Sequence, residues 1–86
     1  MGSLRDHDTE DIGIGRAQQV WVANNRVSSM NVEARTYGTN NIEDTQEVFP
    51  GRTAEFVAPS GEYWAQVSIK GLGTETQSAS GNVTWS

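Results

Sequence analysis

Residues 30–37 decide the fold class, because they read Met-Asn-Val-Glu-Ala-Arg-Thr-Tyr and alternate apolar with polar side chains. Successive side chains of a β-strand point to opposite faces, so this two-residue period predicts a strand with one buried and one solvated face. The residues expected on its inner face are Met30, Val32, Ala34 and Thr36.

Residues 62–70 show the same period and predict a second strand of this kind. Strict alternation through the whole segment assigns its odd-numbered residues to the core and its even-numbered residues to solvent. The expected inner residues are Tyr63, Ala65, Val67 and Ile69. The expected outer residues are Glu62, Trp64, Gln66, Ser68 and Lys70.

Shorter apolar runs separated by turn residues predict the remaining strands. They lie near residues 20–23, 46–49, 53–58 and 82–86. The six-residue loop after the first of these predicts an antiparallel hairpin with the strand at 30–37. The sequence Phe-Pro-Gly-Arg at 49–52 has the residues that a type II turn requires. About six short strands with closely spaced turns favour an all-β fold, a small antiparallel sandwich or barrel of six to seven strands.

The chain of 86 residues is expected to form one domain. Residues 1–17 are acidic and glycine-containing, which predicts a flexible N-terminal arm, and residues 18–86 are assigned to the β-sandwich domain. The chain has no cysteine, so neither a disulfide nor a zinc–thiolate site would reinforce its small core. Small cores without such support often depend on self-association, and we therefore expect a homo-oligomer.

The charge of the chain excludes several partner classes. Eleven acidic residues against six Lys and Arg give a net charge of −5, which argues against nucleic acid, whose phosphates are bound by clustered basic residues. No apolar run is long enough for a transmembrane helix. The N-terminus lacks the apolar region of a secretory signal, so the sequence as it stands predicts a cytoplasmic location.

Residues that could perform catalysis or hold a metal are scarce. His7 is the single histidine and belongs to the predicted arm, so no Ser-His-acid set is expected. Asp6, Asp8 and Glu10 follow the spacing of a calcium loop, but the required glycine and terminal glutamate are missing at the sixth and twelfth positions. We therefore expect no enzyme activity, no metal site and no cofactor.

The tryptophans provide the candidate binding site. Alternation places Trp64 on the polar face of its strand and Trp21 opposite two valines. An exposed indole is a flat apolar platform with one N–H donor, suited to stacking against a sugar ring. Amide and carboxylate side chains that lie nearby in the sequence or on the same face could form hydrogen bonds with the sugar hydroxyls. The predicted ligand-binding residues are Trp64, Trp21, Asn24, Asn25, Gln66 and Glu62. The alternative for Trp64 is a position in a second core layer or in a subunit interface, where tryptophan is enriched.

Three functional hypotheses remain open. The first is a non-enzymatic, lectin-like module that recognises glycans through these aromatic residues. The second is a structural subunit of a homo-oligomer, with Trp64 in the interface and the arm lying on a neighbouring subunit. The third is a membrane-active β-sandwich protein.

Overall fold

The computed structural model describes residues 3–4, 9–72, 77–78 and 82–86, and these ranges contain β-strands and turns without an α-helix. Seven of the strands build two sheets, which confirms the predicted antiparallel all-β fold. In chain order the strands are β1 Ser3–Leu4, β2 Thr9–Ala17, β3 Gln19–Ala23, β4 Met30–Thr36, β5 Ile42–Val48, β6 Thr53–Val57, β7 Trp64–Gly71, β8 Gln77–Ser78 and β9 Val83–Trp85.

Two antiparallel sheets enclose the core. The larger sheet has the strand order β2-β7-β4-β5, and the smaller sheet has the order β6-β3-β9. β1 and β8 form a separate two-stranded ladder. The inner face predicted for β4 is confirmed, since every second residue from Met30 to Thr36 is buried. The buried apolar side chains are Ile12, Ile14, Ala17, Val20, Val22, Met30, Val32, Ala34, Val48, Ala54, Phe56, Trp64, Val67, Ile69 and Val83.

The turn at residues 49–52 matches its prediction. Gly51 has a φ of 78°, and the Arg52 N–H donates to the Phe49 carbonyl oxygen at 3.1 Å. A positive φ at the third position is the type II requirement that glycine meets without steric cost. The turn lies between β5 and β6, so it carries the chain from the larger sheet to the smaller one.

The hairpin predicted between β3 and β4 is wrong. β3 pairs with β6 and β9, whereas β4 pairs with β5 and β7, so the loop between them crosses from one sheet to the other. A loop of six residues can join paired or unpaired strands, and its length alone could not distinguish the two connections.

The predicted boundary of the domain also moves. Thr9–Ala17 form β2, an edge strand of the larger sheet paired with β7, instead of belonging to an arm. Ile12 and Ile14 are buried in the core, and this burial stabilises the ordered segment. Thr9–Ala17, which were assigned to the arm, therefore belong to the larger sheet. Residues 1–2 and 5–8 of the predicted arm lie outside the described residues, and Ser3–Leu4 form β1, which pairs with β8.

A β-bulge on β7 changes which of its side chains face inward. Gln66 lies opposite Arg35 of β4, and Trp64 lies opposite the next residue, Thr36. Ala65 is therefore an extra residue on β7. One extra residue reverses the alternation of side chains beyond it, so the residues before Ala65 have the opposite orientation to the one predicted.

The bulge exchanges the environments predicted for two neighbouring aromatic residues. Trp64 is 1% exposed instead of facing solvent, and Tyr63 is 39% exposed instead of facing the core. The Trp64 Nε1–H donates to the Phe56 carbonyl oxygen at 3.0 Å, and the two rings meet edge to face with centroids 6.4 Å apart. Because Phe56 belongs to the smaller sheet, this contact joins the two sheets. This burial contradicts a ligand platform or an interface position for Trp64 and agrees with the alternative of a core position.

We expect Trp64→Phe to lower the free energy of unfolding by about 2–3 kcal/mol, because it leaves a gap and removes the donor to a buried carbonyl oxygen. Urea unfolding followed by far-ultraviolet circular dichroism measures this loss. Trp21→Phe is the matched control, since Trp21 is only partly buried on an outer face, and it should cost less than about 1 kcal/mol. Equal losses in the two variants would contradict the assigned role of Trp64.

Candidate functional site

The six predicted site residues do not form one site. Trp64 lies in the core, whereas Trp21 lies on the outer face of the smaller sheet, where it is partly buried between Glu55 and Thr84. Gln66 lies on the opposite side of the sandwich, on the outer face of the larger sheet, because it precedes the inward-facing Val67. A single ligand cannot contact both outer faces of a sandwich.

Asn24 has a structural environment instead of the predicted ligand-facing one. Its side chain is fully buried, and its Nδ2 group donates to the carbonyl oxygens of Val48 (2.7 Å) and Ser28 (3.0 Å). Its Oδ1 accepts the Arg26 backbone N–H at 2.8 Å. Both amide donors are thus used within the protein, which connects the crossing loop to the end of β5.

The other two predicted residues lie at opposite ends of the molecule. Asn25 is exposed, and its Nδ2 donates to Asn82 Oδ1 at 2.7 Å. Glu62 is partly buried in the segment that leads into β7, and its backbone N–H donates to the Pro59 carbonyl oxygen at 2.9 Å. Glu62 and Gln66 lie on either side of Trp64 in the chain and are close to the bulge at Ala65.

Three register shifts occur at the same end of the larger sheet. Besides Ala65 of β7, Glu43 is an extra residue of β5, and β2 has two extra residues between Gly13 and Ala17. In β2 the chain turns at Gly15, whose φ is 83°. Bulges redirect side chains and are over-represented next to functional sites. This end of the sheet is therefore the candidate location of a functional site.

At this end lies a group of three side chains, Arg16, Tyr37 and Tyr63, which we call the tyrosine–arginine cluster. The Arg16 guanidinium carbon is 4.4 Å from the centroid of the Tyr37 ring and 5.8 Å from that of Tyr63. The Tyr37 backbone N–H donates to the Tyr63 carbonyl oxygen at 2.8 Å, which keeps the two residues side by side. The tyrosines are 52% and 39% exposed, so both rings offer surface to a ligand while a cation–π contact orients them.

Polar side chains extend the cluster along the outer face of the larger sheet. Arg35 precedes Tyr37 by two residues on β4 and lies opposite Gln66, and its Nη1 group donates to the Asn40 carbonyl oxygen at 3.1 Å. The Gln66 amide donates to Ser68 Oγ at 3.2 Å. This face therefore combines exposed aromatic rings with amide and guanidinium donors.

A neighbouring pair stabilises the polar face next to the cluster. Ser68 Oγ donates to Asp11 Oδ1 at 2.7 Å, across the pairing of β7 with β2. Gly13 follows two residues later on β2, opposite Gln66, and a Cβ atom at that position would meet no atom within 4 Å. The surface beside the Gln66 amide is thus open, and no pocket is enclosed by the residues that the structure describes.

Sequence reasoning missed all three members of the cluster. Tyr63 was assigned to the core because strict alternation was assumed through Ala65. Arg16 was assigned to the arm, although the glycines at 13 and 15 are a signal of a bulge inside a strand. Tyr37 directly follows the last residue of β4, the buried Thr36, and is exposed.

No family model, curated protein or solved structure matched this chain. None of the described segments is a helix with the length and apolarity needed to cross a bilayer. The described residues also contain no group of three or more His, Cys, Asp or Glu placed to hold a metal ion. Asp6, His7 and Asp8 lie outside the described residues.

We expect Asn24→Ala to destabilise the fold by about 2–4 kcal/mol, since it leaves buried backbone groups without their hydrogen-bond partners. Asn25→Ala is its control at the adjacent, exposed position and should change stability by no more than about 0.5 kcal/mol. Chemical denaturation of both variants measures the difference. A stable Asn24→Ala protein would show that the buried amide does not support the loop.

Proposed function

We propose that this chain is a non-enzymatic carbohydrate-binding module whose ligand stacks on the tyrosine–arginine cluster. The observation that supports the proposal is the pair of exposed tyrosine rings, Tyr37 and Tyr63, brought together at the bulged end of a polar sheet face. A sugar ring has one apolar face of C–H groups and a rim of hydroxyls. It therefore suits a surface that offers aromatic rings with hydrogen-bonding groups around them.

The groups around the rings can bond to sugar hydroxyls. The Gln66 side chain has two donors and a carbonyl acceptor, and its bond to Ser68 uses one donor. Each tyrosine also presents a phenolic O–H, which can donate or accept. Arg16 adds in-plane N–H donors beside both rings.

The open shape of the site limits the affinity expected for one sugar. Deep sites bury most of a small ligand, whereas a flat surface contacts one side of it only. Several sugars presented on one glycan would raise the apparent affinity if the protein itself presents several sites. We therefore expect weak binding of monosaccharides and stronger binding of clustered glycans.

We expect Tyr37→Ala and Tyr63→Ala each to weaken glycan binding about five- to twentyfold, because each removes one stacking ring. A glycan array identifies a binding sugar, and isothermal titration then compares the variants. Val27→Ala is the control, since Val27 is 84% exposed in the loop between β3 and β4, and it should bind like the unmodified protein.

Two outcomes would overturn this proposal. One is a folded protein that binds no glycan on the array. The other is glycan binding that both tyrosine variants retain in full while Trp21→Ala loses it, which would place the site on the smaller sheet.

A second candidate function is that of a subunit in a homo-oligomer, and the outer face of the smaller sheet favours it. Trp21 lies on the central strand of that face, and Val57 is 60% exposed on the neighbouring edge strand. Tryptophan is enriched at protein interfaces. Two copies related by a twofold axis would cover both side chains with the same surface on each partner. Since Trp64 is buried within one chain, it has no part in such an interface.

We expect Val57→Glu to convert an oligomer into a monomer, because it places a carboxylate on both sides of the contact. Sedimentation equilibrium of the full chain gives the mass. Val27→Glu is the control, since Val27 is 84% exposed in the loop between β3 and β4, and the oligomer should persist. A monomeric unmodified protein, or one mass for both variants, would exclude this face as an interface.

A further inference from the structure

Resting on the proposed function, we infer that the ligand of the tyrosine–arginine cluster is an acidic sugar, whose carboxylate pairs with the Arg16 guanidinium. The ligand class is a glycan bearing a uronic or sialic acid residue.

Arg16 is oriented by aromatic rings instead of a carboxylate. Its guanidinium lies over the Tyr37 ring, with its carbon 4.4 Å from the centroid, and no carboxylate of the described residues forms an ion pair with it. A guanidinium stacked on a ring uses its flat face, while its N–H donors point outward in its own plane. Stacking therefore orients the donor edge and leaves it able to receive a planar group with two oxygens.

Arg35 strengthens the preference for an anion. It lies on the same outer face as Tyr37, two residues earlier on β4, and the Asn40 carbonyl oxygen accepts one of its five donors. Within the described chain it also has no carboxylate partner. Asp11, two residues before Gly13 on β2, already accepts a hydrogen bond from Ser68.

This lack of pairing contrasts with the composition of the chain. Acidic residues outnumber Lys and Arg by eleven to six, yet two of the arginines share one face, and neither is paired with a carboxylate of the residues that the structure describes. Charges on other parts of the surface are largely screened beyond a Debye length of about 8 Å. A single carboxylate bound at Arg16 is therefore governed by the local guanidinium groups, while the net charge of −5 disfavours long, densely charged polyanions.

The stacking rings and the guanidinium together select a sugar acid over a small free carboxylate. A ligand such as acetate would meet Arg16 alone, whereas a pyranose acid can place its apolar face on a tyrosine ring and its carboxylate at the guanidinium. Because both contacts are made by one ligand, the entropy lost on binding is incurred only once.

The test uses pairs of sugars that differ only at one carbon. Methyl glucuronide and methyl galacturonide carry a carboxylate where methyl glucoside and methyl galactoside carry a hydroxymethyl group, and N-acetylneuraminic acid is a fifth probe. Chemical-shift titration of the full ¹⁵N-labelled chain detects weak binding and locates it. We expect at least one acidic probe to bind about tenfold more tightly than a neutral sugar, as one charge-assisted hydrogen bond would give.

Arginine variants separate a local carboxylate contact from general electrostatics. Arg16→Gln should abolish the preference for the acidic probe, and Arg16→Lys should reduce it, because lysine keeps the charge without the planar pair of donors. Arg52→Gln is the matched control, since Arg52 is exposed in the turn between β5 and β6 and loses the same charge. It should leave the preference unchanged.

Three other results would contradict either the acidic-sugar inference alone or the carbohydrate-binding proposal as well. Equal binding of acidic and neutral sugars, weakened in the tyrosine variants, would overturn the acidic-sugar inference and leave the carbohydrate-binding proposal standing. A preference that survives in Arg16→Gln as it does in Arg52→Gln would likewise overturn the role of Arg16. No binding of these probes, together with no binding on the glycan array, would overturn both.

Discussion

The contact between Trp64 and Phe56 joins the two sheets of this domain. Trp64 belongs to the larger sheet and Phe56 to the smaller one, and the indole N–H donates to the Phe56 backbone while the rings pack edge to face. A chain of 86 residues without cysteine has few large side chains with which to fill its core. Two of the largest fully buried side chains meet at this point, so the packing of the sheets depends on it.

The core contact and the candidate site have a common cause. The extra residue Ala65 turns Trp64 inward and leaves Tyr63 exposed, where it meets Tyr37 and Arg16. The irregular path of β2 through Gly15 brings Arg16 to the same place. A regular strand would have kept the tyrosine inside and the tryptophan outside. The bulge thus supports folding and presents the surface to which we assign ligand binding.

The features predicted correctly from the sequence were those set by local preference. The alternation of residues 30–37 predicted the inner face of β4, and Pro50 with Gly51 predicted the turn between β5 and β6. The candidate site was predicted far less well. Gln66 and Glu62 were placed near its location, but Asn24 proved to be a buried structural residue because its amide is bonded on both sides of the crossing loop.

Local alternation was enough to establish that the chain is all-β and which side chains of β4 face inward, because a strand has the same two-residue period wherever it lies. Contacts between distant strands decided which sheet each strand joins, that β2 belongs to the domain, and that Trp64 is buried while Tyr63 is exposed. The physical reason is register. A residue of β7 is an extra residue only relative to the strands that pair with it, and those strands lie far from it in the sequence.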